Sequence, residues 1–158
     1  MRCDERGSAA ILVVVLMPLL VTILTGVVQL GAIRVVAARV ASAADLATLA
    51  ATDDQDSGEL ARTGALRLAP DAEAIARTYF ALNLAQIAPH LAIMPADVAA
   101  QADVAAFPIV PAVDPLTGWR YDHPTVRIAA SVPIRTPAFG VIFSPTTLVN
   151  VRAASSPR

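Results

Sequence analysis

A long run of apolar residues dominates the first part of the chain. Residues 7–33 read GSAAILVVVLMPLLVTILTGVVQLGAI and contain no charged side chain. As a helix they would be about 40 Å long, more than the roughly 30 Å hydrocarbon core of a bilayer. The rest of the chain has too little apolar surface to cover such a helix on every side. The pattern therefore predicts a transmembrane helix over residues 7–33.

Two positions stand out within this run. Pro18 removes a helical hydrogen bond and predicts a kink. Gln29 lies near the far end of the run and has an amide to satisfy. It either reaches interfacial water or bonds to a neighbouring helix. On the second alternative, Gln29 forms part of a predicted helix-partner interface.

The helical pattern continues beyond the apolar run into an Ala-rich stalk, residues 34–51. Ala43, Ala47 and Ala51 are spaced by four, so they share one helix face, and their small side chains would let another helix approach closely. We predict this face as the rest of the helix-partner interface. The alternative is that the stalk packs only on its own domain. Leu46 and Leu49 lie apart from the Ala face and are predicted to hold a globular domain against the helix.

A polar segment and a second helix follow the stalk. Residues 52–59, TDDQDSGE, predict a solvated loop rather than a Ca²⁺ site, because Gly58 is misplaced for an EF-hand loop. The loop opens a polar linker over residues 52–69. The 3-4 spacing of apolar side chains predicts an amphipathic helix over 71–88, and a short helix over 95–106 is compatible with the sequence.

From Phe107 onward the pattern changes to strands. Val126, Ile128, Ala130 and Val132 alternate with more polar neighbours. The predicted strand segments are FPIVPAV, WRYDHP, TVRIAASVPI and TTLVNVRAAS. They indicate a small antiparallel β-meander with one face covered by the long helix and its companion. The predicted fold class is α+β with a pilin-like architecture: a long N-terminal helix, an amphipathic helix and a C-terminal meander.

Composition and charge narrow the function classes. The chain has 158 residues, a net charge of −1 and a mean hydropathy of +0.60, so no charge pattern for nucleic acid is present. The single cysteine, Cys3, excludes an intrachain disulfide. His90 and His123 have no partner at ligand spacing, and no catalytic motif occurs. We expect no enzyme activity, no cofactor, no metal and no small-molecule substrate.

Charge around the apolar run bears on orientation. Arg2 and Arg6 precede the run, while Arg34 and Arg39 follow it, so the positive charges on the two sides are equal. A short tail of residues 1–6 favours a cytoplasmic N-terminus with the rest of the chain outside the bacterial cytoplasmic membrane. A signal-peptidase site at Ala41-Ser42-Ala43 is the alternative, but it lies well beyond the run. The predicted extracytoplasmic α+β domain covers residues 70–158.

The N-terminal third resembles a known family. Arg6-Gly7-Ser8-Ala9-Ala10, the span with Pro18, Val28-Gln29-Leu30-Gly31, and the pattern AADLAxLAA at residues 43–51 are similar to the TadE/TadG-like proteins of Tad (tight adherence, Flp-type) pilus systems. The segment from Val126 to Ala154, with Thr136, Pro137 and Phe139, is similar to the β-rich ends of the same group.

The resemblance implies a membrane-anchored structural component of a Tad/Flp pilus or secretion apparatus, with partners among other pilus-assembly or pseudopilin subunits. Processing like that of TadE-type pseudopilins would cleave between Gly7 and Ser8. Those proteins carry Glu at the fifth position after the cleaved Gly, where this chain has Leu12. An uncleaved, TadG-like N-terminus is therefore expected. A different function remains open, a generic single-span membrane-anchored binding domain with exposed loops around Trp119-Arg120-Tyr121.

Overall fold

The computed structural model describes residues 5–64, 67–136 and 145–157, with side chains from Leu12 onward. The helices alternate with short connections before a small sheet. Their bounds are Glu5–Asp53 (α1), Ser57–Thr63 (α2), Ala72–Ala85 (α3) and Pro95–Gln101 (α4), with one 3-10 turn at Ala88–His90.

Helix α1 spans 49 residues without a break. It continues through Pro18, where the hydroxyl of Thr22 donates a hydrogen bond to the Pro18 carbonyl at 2.8 Å. Thr25 bonds in the same way to the carbonyl of Val21 at 2.8 Å. The continuity of the predicted apolar helix and the predicted stalk is therefore confirmed.

The polar segment after α1 is more ordered than predicted. Where a solvated loop was expected over residues 52–59, α1 extends to Asp53 and α2 begins at Ser57. Asp56 caps α2, because its Oδ1 accepts hydrogen bonds from the N–H groups of Gly58 and Glu59, both at 3.0 Å. Gly64, with φ of 71°, ends the helix in the left-handed conformation.

Two further helix predictions are corrected. The helix predicted over 71–88 ends at Ala85 and gives way to the 3-10 turn. The helix predicted over 95–106 stops at Gln101, because residues Asp103–Phe107 pair with a later strand instead. Long-range strand pairing overrides the local preference of this Ala-rich segment.

The predicted small antiparallel sheet is present, with three strands in the order β1-β4-β5, but it is not the continuous meander that was predicted, because β2 and β3 form a separate antiparallel pair. The predicted early strands are shorter than expected. The strand bounds are Asp103–Phe107 (β1), Ala112–Val113 (β2), Arg120–Tyr121 (β3), Thr125–Arg135 (β4) and Thr146–Ser155 (β5).

One face of the sheet is covered by α1 and α3, as predicted. On β4 the inward side chains Val126, Ile128 and Val132 are buried. On β5, Val151 and Ala153 point inward, whereas Leu148 on the opposite face is 65% exposed. The helix α3 contributes Phe80 and Leu84 to the same core. We call the folded unit formed by the second half of α1 and all later elements the head. Its hydrophobic core lies between two helices, α1 and α3, and the three-stranded sheet.

Candidate membrane anchor and helix interface

The two halves of α1 lie in opposite environments. From Leu12 to Val28 the large apolar side chains are exposed, for example Met17 at 67% and Val28 at 65%. In the second half, Val40 and Ala44 are fully buried in the core of the head. The first half of α1 is therefore an exposed apolar helix, and the second half lies at the centre of the head. The exposed half is the part of the molecule that requires an apolar environment.

The small-residue face predicted as a partner interface is occupied by this chain's own head. Ala43, Ala47 and Ala51 are at most 4% exposed and belong to the core that includes α3. The side-chain amide of Asn83 on α3 donates to the carbonyl of Ala43 at 3.4 Å. The intramolecular alternative accounts for this burial. A partner helix at the same face stays a prediction, and it would have to displace α3.

The prediction for Leu46 and Leu49 is wrong. They are 53% and 51% exposed and do not hold the head against the helix. The physical reason is distance: the Ala face lets α3 and the sheet approach the α1 backbone closely, so the larger leucines are left on the outside. They lie on the exposed side of the head-bearing half of α1.

A polar contact lies inside the packing of α1 on the sheet, and no local sequence pattern indicates it. The hydroxyl of Thr48 donates to the carbonyl of Asp45 and lies 2.9 Å from Oγ of Ser155, at the end of β5. Thr48 is fully buried. Only the register of β5 against α1 brings the two hydroxyls together.

Gln29 and the predicted processing site fall on the first half of α1. Gln29 is only 6% exposed, so the alternative in which it reaches water does not describe this structure. Gly7 and Ser8 lie within the helical backbone of α1, and their surroundings fall outside the described side chains. Cys3 and Phe139 also fall outside the described residues.

A buried charged cluster joins the β2–β3 pair to the main sheet. The Nε of Arg127 lies 3.0 Å from Oδ2 of Asp114, and these side chains are 4% and 0% exposed. Asp114 also accepts hydrogen bonds from the Leu116 N–H at 2.9 Å and the Thr117 hydroxyl at 2.7 Å. Arg127 Nη2 reaches Asp103 on β1 at 3.2 Å. All of these contacts join residues of the head, so their role is structural. We call Asp114, Arg127 and Asp103 the clamp.

The surroundings of Asp114 and Tyr121 shift the pKa of each side chain. Loss of hydration would raise the pKa of Asp114, but hydrogen bonds from Thr117 and Leu116 and the charge of Arg127 outweigh it and lower the pKa below the ordinary value of 3.8. For Tyr121, burial and the nearby Asp114 carboxylate raise the pKa above the ordinary 10.0. Asp114 is therefore an anion in the folded protein at neutral pH.

The aromatic segment considered as a binding loop is only partly exposed. Trp119 is 69% exposed, whereas Tyr121 is half-buried with its ring centroid 5.1 Å from that of Phe107. Gly118, with φ of 73°, makes the turn that presents Trp119. Trp119, Tyr121 and Arg152 line a cleft of about 200 Å³. His90 and His123 are both exposed.

These features define the class of the protein. It is an α+β head built around the C-terminal half of a helix that is long and apolar enough, by length and composition, to cross a membrane. Residues 7–65 match the Tad family model, described as "Putative Flp pilus-assembly TadE/G-like". The resemblance predicted for the N-terminal segment is confirmed over these residues. The similarity noted for Val126 to Ala154 lies outside the matched range and stays a prediction. No curated protein and no solved structure matches the chain.

Proposed function

We propose that this chain is a membrane-anchored, non-enzymatic structural component of a Tad/Flp-type pilus or secretion apparatus. The observation that carries the proposal is the division of α1 within the segment that matches the family. Its first half exposes a continuous apolar surface and its second half is the spine of a compact head. Such a helix places a folded unit at a membrane, which is the geometry of an envelope-assembly subunit rather than of a soluble enzyme.

In the proposed arrangement, the N-terminus is in the cytoplasm of a bacterium and the head lies outside the cytoplasmic membrane. Residues 1–6 form the tail and 7–33 contain the span. The residues called the stalk, 34–51, are also the core helix of the head. The N-terminus stays uncleaved at Gly7-Ser8, since Leu12 stands where the pseudopilins of this group carry Glu.

Other pilus-assembly or pseudopilin subunits are the proposed partners, and they bind through α1. Two faces compete for this role. The predicted face, with Gln29, Ala43, Ala47 and Ala51, is buried within the chain. The opposite face, with Leu46 and Leu49, is open to a second helix.

Sedimentation tests the anchor. The full-length protein should remain in the membrane pellet after a carbonate wash. Met17→Arg places a charge near the centre of the span, at a cost of about 3 kcal/mol, and should release the protein or prevent its insertion. The matched control Leu60→Arg adds the same charge at an exposed site in α2 and should not change the pellet fraction. Recovery of the unmodified protein in the soluble fraction would refute the anchor.

Photocrosslinking at adjacent positions tests the partners. A photoreactive amino acid at Leu46 or at Ala47 samples the open face and the covered face of the same helical turn. In cells that carry a Tad apparatus, an adduct with a pilus subunit at Leu46 alone supports the open face. An adduct at Ala47 alone supports the Ala face. If neither position gives an adduct with a pilus subunit, helix partnering fails.

The generic anchored binding domain is the second candidate. The exposure of Trp119 beside the cleft favours it. Trp119→Ala separates the two functions, because pilus assembly by α1 contacts does not require this ring. Pilus assembly that is lost on deletion of the whole chain but kept in Trp119→Ala would favour the pilus role, whereas assembly that deletion of the chain leaves unchanged would favour the binding role.

A further inference from the structure

The head and the apolar run overlap along α1. Residues 7–33 are uncharged, yet the head already covers one side of the helix within this run. Gln29 is 6% exposed, and Ile33 packs against the core. On the other side of the same turn, Leu30 is 62% exposed. One face of the helix is therefore still apolar and uncovered at the level where the head begins.

The direction of the sheet shows which end of the head lies there. Ser155, at the end of β5, meets α1 at Thr48 with the two hydroxyl oxygens 2.9 Å apart. Helix α3 begins beside the end of α1, where Ala69 N–H donates to the Asp54 carbonyl at 3.3 Å. It then runs back past Ala43, and shortly after its end Leu91 pairs with Ile134 of β4. The end of β4 and the start of β5 therefore lie toward the N-terminal half of α1.

Simple lengths place this end at the bilayer surface. The nine steps along β5 from Thr146 to Ser155 cover about 30 Å, and a helix covers that distance in about 20 residues. Counted back from Thr48, the start of β5 lies near the level of Gln29. As a helix, the uncharged residues 7–28 are about 33 Å long, which matches one hydrocarbon core of roughly 30 Å, and their large apolar side chains are exposed from Leu12 onward, where the structure describes them. The head therefore begins directly at the bilayer surface, with no exposed segment of α1 between the two.

Positive charge collects at the same end. Arg34, Arg39 and Arg135 are exposed, and none forms an ion pair with any residue that the structure describes. Arg34 lies about 9 Å beyond Val28, within the headgroup layer, and its side chain is long enough to reach lipid phosphates. Arg135 ends β4 and is paired with Thr146 at the start of β5, so it lies in the same zone.

We propose that the head is seated directly on the outer leaflet, with Arg34 and Arg135 bound to the phosphates of anionic phospholipids. The lipid contact orients the head and fixes how far α1 emerges from the bilayer. This inference rests on the proposed membrane anchor and adds a surface and a ligand class to it.

Spin labels on one face of one strand test the seating. Leu148 and Ala154 share the outer face of β5 and are about 20 Å apart. Each is replaced by Cys in a Cys3→Ser background, labelled with a nitroxide, and reconstituted at full length in phosphatidylcholine vesicles with 30% phosphatidylglycerol. The label at Leu148 should be several-fold less accessible to a water-soluble nickel chelate than the label at Ala154. Equal accessibility at both sites would overturn the proposal.

A third nitroxide label, at Met17, distinguishes failure of the proposed seating from failure of the proposed membrane anchor. If the label at Met17 is accessible to oxygen but not to the nickel chelate, and the label at Leu148 is accessible to the chelate, the seating is refuted and the membrane anchor is retained. A water-exposed label at Met17 would defeat the proposed anchor and the seating with it.

Charge variants test the ligand class. Arg34→Gln with Arg135→Gln should weaken the equilibrium constant for seating of the head by about 25-fold, from roughly fivefold for each arginine near an anionic surface, and so bring the accessibility of the Leu148 label to that of the Ala154 label. The control pair Arg62→Gln and Arg120→Gln removes two exposed arginines from the far end of the head and should change nothing. Shielding that is the same in vesicles of phosphatidylcholine alone, which carry no net charge, would overturn the proposed binding to anionic phospholipids.

Discussion

Arg127 and Asp114 form an ion pair that is almost completely removed from solvent, with Nε and Oδ2 3.0 Å apart. Asp114 stands at the start of the β2–β3 turn and Arg127 in the central strand β4. The pair therefore fastens a peripheral hairpin to the middle of the sheet. Breaking one member of a buried pair leaves the other charge without compensation.

Replacement of Asp114 should destabilise the head strongly. We expect Asp114→Ala to lower the free energy of unfolding by about 3 kcal/mol, since Arg127 would stay buried with only Asp103 nearby. Circular dichroism of the full-length protein in detergent, with increasing denaturant, measures the change. The matched control is Asp122→Ala, which breaks an exposed pair with Arg120 and should cost less than about 1 kcal/mol. Similar losses in both variants would contradict a special role for the buried pair.

The same pair predicts an acid-sensitive contribution to stability. The folded-state pKa of Asp114 lies below its ordinary value of 3.8, so the folded protein favours the carboxylate. Its contribution is complete above pH 3.8 and is lost as the pH falls through the lower folded-state pKa. The difference in unfolding free energy between wild type and Asp114→Ala should narrow below pH 3.8 and stay constant between about pH 5 and 7. Narrowing on the alkaline side would show the opposite sign of shift.

The close approach between α1 and the rest of the head depends on residue size at Ala47. Ala47 is fully buried, so Ala47→Leu should cost about 1–3 kcal/mol or more through overpacking. Ala38→Leu places the same side chain on an exposed turn of the same helix and should be within about 0.5 kcal/mol of wild type. Thermal unfolding of the two variants in detergent provides the comparison. Equal stability would mean that α3 does not depend on this face.

The sole cysteine allows a test of the proposed orientation. A membrane-impermeant maleimide should label Cys3 only after the membrane is permeabilised, if the N-terminus is inside. In the control variant, Cys3→Ser with Ala61→Cys, the thiol lies on exposed α2 and should react in intact spheroplasts. Reversed labelling of the two proteins would establish the opposite topology.

The sequence alone determined the features that depend on local pattern. The uncharged run over residues 7–33 specified a long apolar helix, because neither its length nor its composition suits another element. The strand pattern identified both β4 and β5, and alternation along β4 placed Val126, Ile128 and Val132 on one face, since a strand has a period of two. The family resemblance rested on this same N-terminal segment.

Only the tertiary structure decided what each face of α1 contacts. The sequence showed a small face and, at Leu46 and Leu49, larger side chains, but an Ala row suits an internal contact and an external partner equally well. The clamp between Asp114 and Arg127 could not be predicted either, because Asp114 lies in the β2–β3 turn and Arg127 on β4, and only the packing of the β2–β3 pair against the main sheet brings them together. Periodicity fixes which side chains share a face, whereas the partner of that face is set by long-range packing.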